Sequence, residues 1–151
     1  MKKFTVLKSL FGLLVTIVIL MSCGNASKGN KGASVVDKVQ KDRVEILYFH
    51  GAQRCITCRA IEKYTKELLD SVYSQELSSG RVVYKIIDIS KKENEAIADK
   101  YEVSWSSLFV NGWKGEKESI HNMTEFAFAN ARNNPAQFQD GILEKVDELL
   151  K

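Results

Sequence analysis

The chain has 151 residues, of which 44% are hydrophobic, with three cysteines and one proline; that length fits one ordinary domain rather than several. Its net charge of +3 is uneven, because Lys2, Lys3 and Lys8 precede a long apolar run. Taking those three from the 22 basic residues leaves 19 against 19 acidic ones, so no basic stripe survives and nothing points to nucleic acid as a partner.

Residues 1–22 read as an export leader, with the three lysines as a positive start and an apolar stretch over residues 9–21. That stretch is shorter than the roughly 20 residues a membrane-spanning helix needs. Leu20-Met21-Ser22-Cys23 resembles the bacterial lipoprotein box. The resemblance implies cleavage before Cys23 and a lipid on its sulfur, hence a domain tethered to a membrane of the bacterial cell envelope and facing the periplasm or the exterior. Residues 23–34 carry glycine and small polar side chains with almost nothing apolar, the composition of a flexible tether. Residues 35–151 then form the domain.

Within it, residues 35–42 fit a short amphipathic helix with Val35, Val36 and Val39 on one side. Residues 44–49 are apolar at nearly every position except Glu45, as in a central strand covered on both faces. A short polar turn follows and delivers Cys55 and Cys58 to the start of a helix. Ile61, Thr65, Leu68, Leu69 and Val72 extend its inner face to about Ser78, and Ser79-Gly80 ends it. Residues 81–89 form the next strand, rich in β-branched side chains. Ser90 and Glu93 make a Ser-x-x-Glu capping box for a helix running through Ala96, Ile97 and Tyr101. Residues 105–110 are a third strand, Asn111-Gly112 a hairpin signal, and residues 116–121 an antiparallel partner. A short helix over residues 123–133 contains Phe126 and Phe128, which are expected to pack inward as extra core cover, with a partner-docking surface as the other reading. The last helix opens at Asn134-Pro135 and buries Phe138, Ile142, Val146 and Leu149, with Gly141 a modest weakness.

Two cysteines at i and i+3 share one helix face and can cycle between dithiol and disulfide with little backbone motion. The helix start supplies unpaired N–H groups and the positive end of the macrodipole, which favour thiolate at Cys55. Arg54 and Arg59 add positive charge nearby. Cys55 is therefore the expected nucleophile and Cys58 the resolving thiol. A structural disulfide or half of a zinc site are the other readings of this spacing, the latter short of ligands because only His50, His121, Cys23 and carboxylates remain. The strand–turn–helix context favours the redox pair.

Residues 44–151, with Tyr48-Phe49-His50-Gly51-Ala52-Gln53-Arg54-Cys55-Ile56-Thr57-Cys58 at the active-site turn, resemble a thioredoxin-fold domain. The order β-α-β-α-β-β-α strengthens the likeness. It implies an α/β fold, a three-layer α/β/α sandwich on a central mixed sheet, and a thiol–disulfide oxidoreductase that needs no cofactor because the cysteine pair carries the electrons. Its partners would be cysteine-containing exported proteins or another redox protein. A different class is a binding or scaffold lipoprotein that keeps the fold and uses the pair as a structural disulfide or metal clip.

Three departures from the family bear on the site. Arg54 stands where thioredoxins usually have tryptophan, and Ile56-Thr57 replaces Gly-Pro between the cysteines. Ser107, or alternatively Ser106, occupies the place of the family's cis-proline, and without proline a cis bond costs about 2.5–4 kcal/mol, so a trans bond is expected. Ser106 and Ser107 would then offer backbone groups to an extended peptide, with Trp105 either a hydrophobic contact beside the cysteines or core. Finally, Phe49 takes the position of the family's buried acid. The adjacent His50 is a candidate proton relay by its near-neutral intrinsic pKa, although strand alternation turns it to the other face, where a structural histidine is the plainer reading.

Overall fold

A computed structural model describes residues 42–151. The leader, Cys23, the tether and nearly all of the helix expected over residues 35–42 lie outside the described residues. Among the described residues, no helix is long and apolar enough to cross a membrane.

Strand β1 (Arg43–His50) is the axis of the sheet. It pairs in parallel with β2 (Val82–Asp88) on one side and antiparallel with β3 (Ser107–Lys114) on the other. A short β4 (Lys117–Ser119) extends β3, giving the order β2-β1-β3-β4. The apolar run in β1 reflects this central position, since six consecutive residues, Val44 to Phe49, are buried. Glu45 is among them.

Alternation divides β1 between two cores. Val44, Ile46 and Tyr48 face helices α1 (Ile56–Val72) and α5 (Pro135–Leu150), joining Ile61, Leu69, Phe138, Ile142 and Val146 in the larger cluster. Leu47 and Phe49 face the other way, where they meet Ile87, Tyr101 and Phe109 under the short helix α3 (Glu95–Lys100). Sheet and two helical layers make the expected thioredoxin-like α/β/α sandwich, one side of it thin.

Several expected boundaries move, each for a local reason. The helix after the cysteines stops at Val72 and resumes as α2 (Ser74–Ser79). Tyr73 marks the break: it is buried, and its hydroxyl donates to Asp147 Oδ1 at 2.6 Å on α5. Gly80 then closes α2 in the left-handed conformation at φ 77°. The Ser90–Glu93 capping box does not form. Ser90 turns back instead, its N–H and hydroxyl both donating to Asp88 Oδ1, and a 3-10 turn over Lys92–Asn94 leads into α3.

Asn111-Gly112 is not a hairpin turn. Both residues lie within β3, and the reversal occurs at Gly115, with φ 62°, and Glu116. Asn111 is buried but fully engaged, since its amide donates to Tyr101 Oη and Glu118 Oε1 and its oxygen accepts from the His121 N–H. Gly112 serves packing, because a Cβ there would stand 2.9 Å from both Leu149 Cδ2 and Ser119 Oγ.

The added helix α4 (Thr124–Asn130) appears where expected, with Phe126 and Phe128 packed against the larger core. Pro135 opens α5 at its first turn, though Asn134 makes no side-chain cap and bonds Gln137 instead.

Candidate functional site

The turn after β1 carries the chain over the end of the sheet and hands Cys55 to the start of α1. Cys55 is the N-cap, with extended backbone at φ −69° and ψ 169°, and its sulfur accepts the Cys58 N–H at 3.1 Å. A sulfur thus fills the place that serine, threonine or aspartate usually takes, using one of the helix's unpaired donors. Three residues on, Cys58 is the first buried position of the helix face.

Both cysteines are thiols, Cys55 exposed and Cys58 buried at 5% exposure. Their sulfurs are 2.6 Å apart, so one proton can be shared between them and a small movement separates the pair from a disulfide near 2.05 Å. Burial pushes the Cys58 thiol up, but hydrogen bonding with Cys55 and Ser106, with the Tyr48 hydroxyl close by, outweighs it and holds the group below the ordinary thiol value. The Cys58 thiol also reaches Ser106 Oγ at 3.6 Å.

That contact brings the loop before β3 into the site. Ser106 is beside Cys58, whereas Ser107 is buried at the start of β3, donating from its hydroxyl to the Trp105 carbonyl at 3.1 Å. No peptide bond in this loop is cis. Trp105 is not core: it is 58% exposed, leaning on Phe128 with ring centroids 5.8 Å apart. Ile56, beside Cys55, is 68% exposed. On the far side of Trp105 and Ser107 a cavity of about 360 Å³ opens, with Glu102 and Glu125 at its wall.

The remaining candidates are less involved. His50 Nδ1 meets the carbonyl of Gly51 at 2.9 Å, which puts a proton on that nitrogen and ties the strand end to the turn. Its ring lies on the same face of β1 as Tyr48, 6.0 Å away, but the cysteine sulfurs bond to each other and to Ser106, not to His50. Phe49, at the position of the family's acid, is wholly buried in the thinner core between Tyr101 and Phe109. Arg59 is exposed on the outer side of α1. Among the described residues no group of three or more histidine, cysteine or carboxylate side chains gathers closely enough to hold a metal.

One cluster was not anticipated from sequence. Tyr48, read as one apolar position in a buried strand, donates from its hydroxyl to the Cys58 carbonyl at 2.8 Å. The Arg54 guanidinium stands 5.7 Å over the Tyr48 ring and ion-pairs with Glu62, one turn beyond Cys58 on α1. Arg54 is therefore engaged by a carboxylate as well as lying near the thiols. A tyrosine inside a fully buried strand is itself a signal, because its hydroxyl must find a partner.

No protein-family model matches the chain, and no curated protein matches it either. Two solved structures are similar to it at low identity. One, described as the structure of a malarial protein, is 16% identical, covers 72% of this chain and 99% of its own, and has a TM-score of 0.46. The other, a thioredoxin-2 described as a component of the malaria parasite protein secretion machinery, is 20% identical over 55% of this chain and 72% of its own, with a TM-score of 0.40. The thioredoxin-like assignment stands on the strand order, the two helical layers and the cysteine pair at the start of α1.

Proposed function

We propose that this protein is a thiol–disulfide oxidoreductase working through a Cys55–Cys58 dithiol/disulfide pair. The observation that carries the reading is the asymmetry of two sulfurs 2.6 Å apart at a helix start, one exposed and one buried. An exposed sulfur at the helix N-terminus suits attack on a partner disulfide, and a buried sulfur beside it suits resolution without exposure to competing thiols. Cys55 attacks the partner's disulfide, forming a mixed disulfide. Cys58 then attacks Cys55, and the electron pair of the broken bond leaves with the partner's sulfur. The same steps run backwards when the pair starts oxidised.

Ser106, Ser107 and the exposed Trp105 form the edge that an extended partner peptide would meet, with Ile56 providing apolar contact on the other side of Cys55. The lipoprotein-like start of the sequence supports an anchor at Cys23 and work on exported proteins that carry cysteines, in an envelope compartment where disulfides persist.

Replacing Cys58 with alanine should leave Cys55 able to attack but unable to be released, trapping mixed disulfides that disappear from a gel on reduction. The wild-type pair should titrate reversibly in glutathione or dithiothreitol buffers, with a midpoint between about −270 and −120 mV. Absence of trapped species, together with a midpoint below about −300 mV, would instead mean a structural clip.

A further inference from the structure

Resolution of a mixed disulfide demands negative charge on Cys58, a sulfur buried against the sheet. Once Cys55 is tied to a partner, it can no longer take a hydrogen bond from the Cys58 thiol or share its proton. Something else must then favour the thiolate. Ser106 Oγ reaches the sulfur only at 3.6 Å. The other polar groups gathered here are Tyr48 from β1, with His50 6.0 Å from its ring, Arg54 from the turn over that ring, Glu62 from α1 paired with Arg54, and Tyr84 from β2.

Of these, Tyr48 is in direct contact with Cys58. Its hydroxyl donates to the Cys58 carbonyl at 2.8 Å and is near enough to the thiol for each group to influence the other's proton. Burial, and then the charge that Cys58 acquires, push the Tyr48 phenol well above its ordinary value, so it stays protonated and can only be a donor or a neutral acceptor. Arg54 stands over the ring and is itself paired with Glu62. We propose that the Tyr48 hydroxyl, steadied by Arg54 and Glu62, turns from the Cys58 carbonyl to the Cys58 sulfur and stabilises its thiolate during the resolving step.

The inference rests on the exchange reading above. In the step concerned, Cys58 gives its proton to solvent and its electron pair to Cys55. The bond from Cys55 to the partner breaks, and the partner's sulfur leaves with that bond's electrons and takes up a proton. The cysteine pair is oxidised and the partner reduced by two electrons. Tyr48 lends a hydrogen bond and loses no proton. Arg54 and Glu62 are positioning residues, acting through the ring.

The experiment uses the reduced protein and 5,5′-dithiobis(2-nitrobenzoate), read by stopped-flow absorbance. Attack by Cys55 releases one thionitrobenzoate, and resolution by Cys58 releases a second. Tyr48→Phe should leave the first phase unchanged and slow the second roughly tenfold near neutral pH, the scale of one hydrogen bond to a charged group. The deficit should close as pH rises, because Cys58 then ionises unaided. In a Cys55→Ser background, the same substitution should move thiolate formation at Cys58, followed by its ultraviolet absorbance, to higher pH. Glu62→Gln keeps the Tyr48 hydroxyl in place, guards against a folding defect in Tyr48→Phe, and should shift the second phase in the same direction by less. Second-phase pH profiles that match wild type in both variants overturn the inference alone. A wild-type protein that never releases the second equivalent overturns the exchange reading and this inference with it.

Discussion

Glu45 is the side chain most at odds with its surroundings, an acid within the six-residue buried stretch of the central strand. It is tolerated because Arg43 Nε donates to it at 2.9 Å from the same strand and Lys85 Nζ at 3.3 Å from a diagonal position on β2. Burial alone would push its carboxyl up, but the Arg43 hydrogen bond and the charges of Lys85 and Arg43 outweigh this and hold it below its ordinary 4.5. A carboxyl depressed in the folded state contributes stability above its unfolded value, and that contribution is lost as pH falls through the folded value. Glu45→Gln should therefore lower stability by about 1–2 kcal/mol at neutral pH. At acid pH, well below the ordinary 4.5, the difference should have shrunk, because wild-type Glu45 loses its charge there as well. Urea unfolding at the two pH values measures it, and an equal loss at both would mean that the ion pairs do not set the effect.

At the scale of elements, the cysteine turn and its two flanking elements were legible because their signals are local: an apolar run, a polar turn and two cysteines three apart. β3 was not. Asn111-Gly112 carries a turn signature, yet Tyr101, Glu118 and His121 satisfy the asparagine, while Leu149 and Ser119 require the glycine. Those partners are assembled only by the fold. The Tyr48–Arg54–Glu62 cluster was hidden for the same reason, as was the role of Gly141, which looked like a weakness in α5. A Cβ at Gly141 would collide with Phe126 Cζ and lie 2.7 Å from its Cε1, and the Phe126 ring is stacked on Phe138. The glycine is what lets α4 approach α5. Gly141→Ala should gain up to about 1 kcal/mol of helix propensity and lose about 2–3 to the clash, a net destabilisation of about 1–2 kcal/mol. Pairing it with Phe126→Leu should restore part of the loss in a double-mutant cycle by thermal unfolding. A stabilised single mutant would show that the Phe126 ring moves aside freely.

For the whole molecule, β1 links the two themes, since its one face supports the larger core and also bears Tyr48 beneath the cysteines. Any preference of the fold for the Cys58 thiolate must then appear as global stability, and only in the reduced protein, because the disulfide form has no thiol there to titrate. Burial raises the Cys58 thiol, but its hydrogen bonds with Cys55 and Ser106 and the nearby Tyr48 hydroxyl bring it below the ordinary 9.0. Between the lowered folded value and 9.0 the unfolded chain binds more protons than the folded one, so stability of the reduced form rises with pH across that window. Below the folded value this contribution is gone. Oxidised and reduced protein differ in titrating groups only at Cys55 and Cys58, which makes the oxidised form the reference for the pair. The difference in melting temperature, oxidised minus reduced, should accordingly fall as pH rises toward 9.0. The same stabilisation makes the dithiol harder to oxidise at high pH than an unstructured pair would be, coupling the redox equilibrium to folding. Calorimetric scans of the two forms across that range test it, and a difference that stays constant with pH would mean that the fold gives the Cys58 thiolate no advantage.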